Sequence, residues 1–223
     1  MGMGMPIPDL SNLPGASRPG GGGTPVPPGP PALAQINNVY SMEFDSLSDQ
    51  YIDAGNITSL NSQSSFSTST WINCSALSTS PVVLSGGSSS SNRVYIQFVN
   101  STTLRYVNGG DINDLTISNI ADGNWHHIST VHSGTSLNIY LDGAKTSFTT
   151  TALSTNIGDS FTIGAYFTRT SNFWDGLIDE VGLFNVALTD AEILSIYNAT
   201  ETGKTADLND LTTPPVKWYR MGD

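Results

Sequence analysis

The sequence predicts an all-β fold: a two-sheet antiparallel jelly-roll sandwich with one short helix near the C-terminus, preceded by an extended arm rich in proline and glycine. Three observations predict this fold. From Val39 onward, short segments alternate polar and apolar side chains, which is the period of a half-buried strand. Gly, Asn and Asp separate these segments at the spacing typical of antiparallel sandwiches. Proline and glycine dominate residues 1–35, so neither helix nor sheet ladder forms there.

The arm comprises residues 1–36 in this prediction, and the sandwich comprises residues 37–223. Within the arm, TPVPPGPP favours polyproline II at about 3.1 Å per residue, and GGGG is a flexible joint. Two interpretations stay open, a plain linker and a docking arm laid on a neighbouring subunit. We favour the docking arm and expect its anchoring residues to be Pro6, Ile7, Leu10, Leu13 and Arg18.

Nine segments of the sandwich have the strand period. In SLNIYLD, for example, Leu137, Ile139 and Leu141 share one face. The following Asp142-Gly143 supplies the positive φ angles of a two-residue hairpin turn into KTSFTT. The nine segments are VYSMEF (39–44), SFSTSTWIN (65–73), RVYIQFV (93–99), TTLRYVN (102–108), NDLTIS (113–118), NWHHISTVH (124–132), SLNIYLD (136–142), KTSFTT (145–150) and SFTIGAY (160–166).

One helix is predicted in LTDAEILSIYN. Thr189 is a good N-cap and Glu192 stands at the third helical position, which is the arrangement of a capping box. Leu188 and Ile193 fit the hydrophobic staple that accompanies such a start. We expect the buried stripe of the helix to be Ile193, Leu194 and Tyr197.

All three histidines lie in DGNWHHISTVHSGTSLNIYLDG, residues 122–143, which raises the question of a metal or catalytic site. On a strand, His126 and His127 point to opposite faces. His126 and His132 share a face, but six residues at about 3.3 Å each place them about 20 Å apart. Zinc needs its ligands within about 2 Å of one ion. The spacing therefore predicts half-buried scaffold histidines that hydrogen-bond to their neighbours.

Charge and composition narrow the classes of partner. The net charge is −11 with only eight Lys and Arg, so no basic patch can form and no nucleic-acid partner is expected. Cys74 is the only cysteine, and we expect it to be a small buried apolar residue. The start MGMGMPIPDL lacks the basic and apolar regions of a Sec signal, and no apolar run approaches the roughly 20 residues that span a bilayer. We expect no membrane partner.

Several segments together resemble one family. WHHIS followed by LNIYLDG is similar to a segment of laminin-G-like and pentraxin-like domains, which belong to the concanavalin A-like lectin/glucanase jelly rolls. The resemblance continues in FTIGAYF and in FWDGLIDEVGLFNVALTDAEILSIY, residues 173–197, and SMEFDSLSDQYIDAGN, residues 41–56, looks like the first strands of the family. It covers roughly residues 37–200 and implies the jelly-roll fold. The fold hosts lectins, adhesion modules, hydrolases and plain spacers, so it does not by itself imply one function.

No enzymatic activity is expected. The hydrolases of this superfamily carry a motif similar to E-x-D-x-x-E on one strand, and the motif is absent here. Asp179 and Glu180 are adjacent and so face opposite ways. We expect Asp179 to be a partly buried acid that caps backbone donors, on a face that it shares with Leu177, Val181 and Leu183. GGSSSSN, residues 86–92, is expected to be a flexible loop, because it lacks the strand–turn–helix setting of a catalytic serine.

The resemblance also implies calcium as the one cofactor to consider. Laminin-G-like and pentraxin domains often bind it through loop carboxylates and carbonyls at the rim of the sandwich. GGDINDL offers Asp111, Asn113 and Asp114, hard oxygen donors of the kind that calcium prefers. The open alternative is an Asx-turn loop, in which these side chains cap their own backbone.

Sugar binding would use an exposed aromatic ring beside polar groups in a loop. SNFWDG offers Trp174 with Asp175, and Tyr166 is a second aromatic candidate. The family pattern places an aromatic near Phe173 for packing, so we expect Phe173 in the core and Trp174 to be the exposed ring.

The leader MGMGMPIPDLSNLPGASRPGGGG is similar to the N-terminal arms of structural proteins of marine tailed phages, which often precede laminin-G-like modules. The resemblance implies a virion structural protein, whether capsid decoration, fibre or tail-associated, assembled in the host cytoplasm without a Sec signal. Residues 1–36 would bind other virion proteins, the chain would form a homo-oligomer, and the jelly roll would contact host glycans. The alternative is a glycan-binding adhesion module of a bacterial surface or secreted protein.

The C-terminal VKWYRMGD, residues 216–223, resembles the first strand of a further laminin-G-like repeat. Two interpretations stay open. Either this strand completes the sandwich by pairing beside VYSMEF, which we favour, or it begins a domain that has been lost.

Overall fold

The computed structural model describes residues 32–199 and 201–222 of the 223-residue chain. The predicted anchoring residues therefore lie outside the described residues; they are Pro6, Ile7, Leu10, Leu13 and Arg18. The first described strand, Gln35–Asn37, crosses the predicted boundary between arm and sandwich at residue 36.

The described residues form fifteen strands and one α-helix, and all strand pairs are antiparallel. Each of the nine predicted segments overlaps a strand, so the alternation is confirmed as a strand signal. The strands are β1 (Gln35–Asn37), β2 (Met42–Phe44), β3 (Ile52–Gly55), β4 (Ser65–Asn73), β5 (Val82–Ser89), β6 (Asn92–Asn100), β7 (Thr103–Asn108), β8 (Asp111–Thr116), β9 (Trp125–Ser133), β10 (Ser136–Leu141), β11 (Ala144–Thr149), β12 (Phe161–Ile163), β13 (Gly176–Phe184), β14 (Lys204–Ala206) and β15 (Lys217–Tyr219); helix α1 is Asp190–Asn198.

Two large sheets form the sandwich, which confirms the predicted fold class. The seven-stranded sheet has the order β11-β10-β9-β4-β13-β15, with β2 also pairing with β13. The six-stranded sheet has the order β3-β12-β5-β6-β7-β8, and β1 pairs with β14 in a separate ribbon. Inward-facing side chains from both large sheets form the main core, with large buried rings contributed by Phe66, Phe98, Phe161 and Trp174. Burial of such apolar surface is the dominant stabilising term for a sandwich.

The turn between β10 and β11 has the predicted geometry. Leu141 pairs with Ala144, and the two turn residues Asp142 and Gly143 have φ angles of 50° and 77°. Positive φ at both central residues matches the right-handed twist of the flanking strands, which favours Asp-Gly at this position.

Helix α1 packs on the outer face of the seven-stranded sheet. Its capping box is confirmed, because Thr189 accepts from the Glu192 backbone and Glu192 accepts from the Thr189 backbone. A second apolar cluster lies beneath the helix and includes Ile193 and Ile196. The predicted stripe is right for Ile193, but Leu194 and Tyr197 are only half-buried. None of the helices in the part of the chain that the structure describes is long and apolar enough to cross a membrane.

Three local expectations are wrong. The predicted Ser-rich loop at residues 86–92 instead contains the end of β5 and the start of β6, which pair as a hairpin. The C-terminal strand joins the sandwich, but β15 pairs with β13 through Val181 and Tyr219 and not with β2. Strands β2 and β15 both pair with β13: β2 pairs with its first half and β15 with its second half.

The third correction concerns Asp179. The register shifts between Asp179 and Gly182, and Glu180 has a φ angle of 50°, so β13 contains a bulge. A bulge adds a residue and therefore changes which side chains share a face. Asp179 lines the outer face with Leu177, whereas Val181 and Leu183 lie in the main core.

Candidate functional site

The adjacent histidines are scaffold, as the strand geometry predicted. His127 is completely buried between the seven-stranded sheet and α1, with its Nε2 2.8 Å from the Ser69 hydroxyl. Its ring contacts Trp71 and Tyr197 at centroid distances of 5.1 and 5.9 Å. Burial lowers the pKa of His127 to about 4, although the charge of Asp142 opposes this. The ring is therefore neutral at physiological pH.

The other two histidines lie apart from it. His132 is buried against the main core, with its Nδ1 3.1 Å from the Tyr106 hydroxyl. His126 lies between two carboxylates, with Nδ1 2.7 Å from Asp142 and Nε2 3.2 Å from Asp122. Among the described residues, no three His, Cys, Asp or Glu side chains are grouped so as to hold a metal ion.

The predicted calcium ligands do not converge. They lie on strand β8 and not in a loop, so Asp114 faces away from Asp111 and Asn113. Asp114 accepts two hydrogen bonds from Arg105, at 2.7 and 2.8 Å. Asp111 accepts from the Thr150 hydroxyl at 2.6 Å. The proposed set of three is therefore wrong, because alternation separates Asp114 from the other two and protein donors already occupy the carboxylates of Asp111 and Asp114.

The predicted sugar residues are also separated. Trp174 is completely buried and packs on Phe98 at a centroid distance of 5.9 Å, so the expectation of an exposed ring is wrong. Asp175 lies in an acidic cleft with Glu43 and Asp45.

Tyr166 belongs to a different surface from Asp175. It packs edge-on against Tyr95 at 5.4 Å, and its hydroxyl accepts from Arg93, which also lies over both tyrosine rings. Phe167 completes this half-buried group, which we call the tyrosine patch (Arg93, Tyr95, Tyr166, Phe167). Phe173 is half-buried against Tyr51, not fully in the core.

A different site is a cleft on the outer face of the seven-stranded sheet. Its volume is about 640 Å³, and we call it the aromatic cleft. Exposed aromatic and apolar side chains are concentrated at and beside it: Tyr40 is 65% exposed and Trp125 is 41% exposed. It is lined by Asn38, Val39, Tyr40, Ser41, Trp71, Trp125, Leu177, Asp179, Gly203, Lys204 and Thr205.

Strand register places the two tryptophans of the cleft together. Trp71 on β4 pairs with His127 on β9, and Trp125 lies two residues before His127 on the same outer face. Trp71 also stacks on Tyr197 of α1 at 6.0 Å, which holds its ring at one end of the cleft. Alternation in NWHHISTVH and SFSTSTWIN predicts the face of each tryptophan within its own strand. It does not predict that the two strands are neighbours, because strand pairing depends on residues far apart in the chain.

The floor of the cleft is polar. Asp179 is 4% exposed, and its oxygens accept from the Asn38 side chain at 3.0 Å and from the Glu180 backbone at 2.8 Å. The predicted role of Asp179 as a cap for backbone donors is confirmed by the second bond. Lys204 lies at the rim and pairs with Glu201 at 3.0 Å. An apolar, aromatic lining with a few convergent polar groups is typical of a ligand site.

The comparisons with known proteins agree with the fold. The family described as the concanavalin A-like lectin/glucanases superfamily matches residues 46–194. No curated protein sequence matches the chain. Among solved structures, a candidate carbohydrate binding protein from Bacteroides ovatus is 15% identical with a TM-score of 0.60, over 87% of this chain and 53% of that one. The chain thus spans about half the length of that relative.

Two further structures match most of their own length. Domain 4 of AbnA, a GH43 extracellular arabinanase from Geobacillus stearothermophilus, in complex with arabinotriose, is 20% identical with a TM-score of 0.53, over 73% of this chain and 80% of that one. A native heptameric SAP-like pentraxin from Limulus polyphemus is 12% identical with a TM-score of 0.54, over 83% of this chain and 90% of that one. At these identities the likeness establishes the fold.

Proposed function

This chain belongs to the concanavalin A-like lectin/glucanases superfamily, and from that premise we propose that its sandwich is a carbohydrate-binding module without catalytic activity, whose aromatic cleft holds the glycan. The observation that carries the proposal is the meeting of Trp71 and Trp125 beside the buried Asp179 in one cleft. Aromatic faces bury the apolar face of a sugar ring, and a buried carboxylate accepts hydrogen bonds from its hydroxyl groups.

Two of the similar structures support this choice of ligand class. One is the Bacteroides ovatus protein, and the other is the arabinanase domain that was solved with arabinotriose. Neither likeness identifies the sugar that this chain would bind. The ligand class is therefore proposed from the chemistry of the cleft, and a glycan array is the first measurement.

The test combines that array with substitutions in the cleft. We expect Trp125→Ala to weaken binding to the best array glycan by about twofold to twelvefold, the effect of losing one aromatic contact of about 0.5–1.5 kcal/mol. Tyr51→Ala is the matched control, because Tyr51 is 39% exposed and does not line the cleft. Unchanged binding by Trp125→Ala, or loss of binding by Tyr166→Ala in the tyrosine patch instead, would refute the cleft as the site.

Calcium stays a prediction without an assigned set of ligands. The same array, repeated after chelation with EDTA, measures it directly. Binding that is lost on chelation and restored by added calcium supports a calcium-dependent module, and unchanged binding argues against one.

We also propose that a virion carries this module, as capsid decoration, fibre or tail-associated protein, with residues 1–36 bound to other virion proteins. The support is the similarity of the leader sequence to phage arms together with its proline- and glycine-rich composition. A homo-oligomer fits this role, and the similar Limulus polyphemus pentraxin is heptameric. The alternative, an adhesion module of a bacterial surface or secreted protein, uses the same cleft.

A further inference from the structure

A second buried carboxylate, Glu180, follows Asp179, which lines the aromatic cleft. Glu180 occupies the bulge of β13 and is 3% exposed. Its Oε2 accepts a hydrogen bond of 2.6 Å from the Trp218 indole, and its Oε1 lies 3.5 Å from Arg220 Nε. Both partners belong to the C-terminal segment, since Trp218 is in β15 and Arg220 follows it. Glu180 therefore holds this segment against the sheet.

The same segment supports one wall of the cleft. Arg220 donates to the backbone carbonyl of Asn37, and its guanidinium lies over the Trp218 ring at 5.5 Å. Two residues later, Gly222 has a φ angle of 135°, and a Cβ atom there would lie 2.9 Å from the Tyr40 Cβ. The backbone of Gly222 thus lies directly against Tyr40, and the C-terminal segment contacts both ends of the wall, residues 37–40.

The hydrogen-bonding groups of the wall are only partly paired. Asn38 reaches Asp179 through its amide nitrogen, but its Oδ1 is buried and has no hydrogen-bond partner among the described residues. A buried acceptor without a partner costs free energy, which offsets part of what the bond from Asn38 to Asp179 contributes. The wall therefore depends on support from behind.

We propose that Glu180 is a proton-sensitive latch for the aromatic cleft: ionised, it holds Arg220 and with it the wall at residues 37–40, and protonated, it releases Arg220 and weakens glycan binding. This inference rests on the proposed function of the cleft. A protonated Glu180 keeps its hydrogen bond from Trp218, because a carboxylic acid still has a carbonyl oxygen. It loses the ion pair to Arg220, which is the link to the wall.

The environment places this ionisation near neutral pH. Burial raises the pKa of Glu180 to about 7, and the charge of Asp179 adds to the increase, while the Trp218 hydrogen bond and Arg220 oppose it. The charged groups that act on Glu180 are Asp179 and Arg220. Lys217 lies on the same strand as Trp218 but is exposed, and strands β1 and β4 contain no charged residue.

The stability consequence has a definite sign. The carboxyl has an ordinary pKa of 4.5 and a pKa of about 7 in the folded chain, so the folded chain binds more protons between these values. Stability from this group is therefore present at low pH and is lost as the pH rises from about 4.5 to about 7. Glycan affinity should change in the opposite direction, because only the ionised carboxylate holds Arg220.

The experiment measures glycan affinity by calorimetry at about pH 5.5 and about pH 8.5, with the best glycan from the array. We expect the wild-type chain to bind about threefold to fivefold more weakly at the lower pH, as for loss of one partly exposed ion pair. Glu180→Gln should bind weakly at both values. Arg220→Gln should also bind weakly at both values. Because Arg220 is more exposed, this variant replaces Glu180→Gln as the test if Glu180→Gln does not fold.

Matched controls separate this latch from other titrations. Glu43→Gln changes an exposed carboxylate on β2, and His126→Gln removes the histidine next to Trp125; both should keep the wild-type dependence. A flat wild-type profile, or a slope that survives in both Glu180→Gln and Arg220→Gln, overturns the latch while leaving glycan binding intact.

A glycan-independent readout distinguishes failure of the latch from failure of the proposed function. The amide resonances of Val39 and Tyr40 are followed by NMR as the pH changes, without ligand. A transition near neutral pH that disappears in Glu180→Gln supports the latch even if no glycan binds at any pH. Resonances that do not move, or that move equally in the variant, overturn it.

Discussion

Single residues of β9 show how one step along a strand changes ionisation. Burial lowers the pKa of His126, but its hydrogen bonds to Asp142 and Asp122 outweigh burial, so the pKa lies above its ordinary value. One residue later, burial alone lowers the pKa of His127 to about 4. The two rings belong to opposite faces of the strand, and only the His126 ring hydrogen-bonds to carboxylates.

The two histidines should therefore affect stability with opposite pH dependence. The ordinary histidine pKa is 6.5, so the folded state at His127 binds fewer protons than the unfolded chain between about pH 6.5 and about 4. Its contribution is present above this window and lost as the pH falls, and His127→Gln should lose less stability on acidification than the wild-type chain. The contribution of His126 is present below pH 6.5 and lost as the pH rises through its folded pKa.

Urea unfolding of both variants across this range measures the difference. His126→Gln should be destabilised mainly at low pH, which makes it the matched control for its neighbour. Identical pH dependence in the two variants would contradict a raised pKa at His126 and a lowered pKa at His127.

At the scale of elements, helix α1 shows how local signals and packing cooperate. The capping box satisfies backbone donors at the first turn of the helix, and Asp190 beside it accepts from the Tyr140 hydroxyl at 2.6 Å and from Lys145. Tyr140 and Lys145 belong to β10 and β11, so the start of the helix is tied to the sheet beneath it. Packing of the apolar face then supplies most of the helix stability.

Removal of the cap should have a measurable cost. We expect Thr189→Ala to reduce the free energy of unfolding by about 1 kcal/mol, because the Glu192 backbone N–H loses its acceptor. Thr189→Ser keeps the hydroxyl and should lie close to the wild-type chain in urea denaturation. Equal stability of the alanine and serine variants would show that the cap does not contribute.

On the scale of the whole molecule, the described sandwich has its own core and the predicted arm precedes it. The main core is formed by residues from β2 onward. In the proposed virion role, the anchoring segment and the folded module are therefore different parts of the chain. This separation allows the two parts to be tested independently.

Deletion of residues 1–30 should leave the module folded, because its core lies entirely within later residues. Circular dichroism melting checks the fold, and immunoblotting of purified particles checks incorporation. We expect an unchanged melting temperature and loss of the protein from particles. A variant with alanine at Ile7, Leu10 and Leu13 tests the apolar anchors without shortening the chain. Full incorporation of the deleted chain would rule out the anchoring arm.

Signals local in the sequence were sufficient to predict the alternating strands, the Asp142-Gly143 turn, the capping box of α1 and the placement of His126 and His127 on opposite faces of their strand. These features depend on residues close together in the chain, where a period of two or a fixed offset has one geometric meaning. The same reasoning predicted the burial of Cys74, which is 3% exposed, with its pKa raised by burial to about 11.

Only the tertiary structure decided where a site could form. It buried Trp174, moved Asp179 to the outer face through a bulge, and paired the C-terminal strand with β13. It also brought Trp71 and Trp125 together from strands about fifty residues apart in the chain, which no local period specifies. The physical reason is that strand partners, and the face that each sheet covers, follow from long-range packing of the whole sandwich.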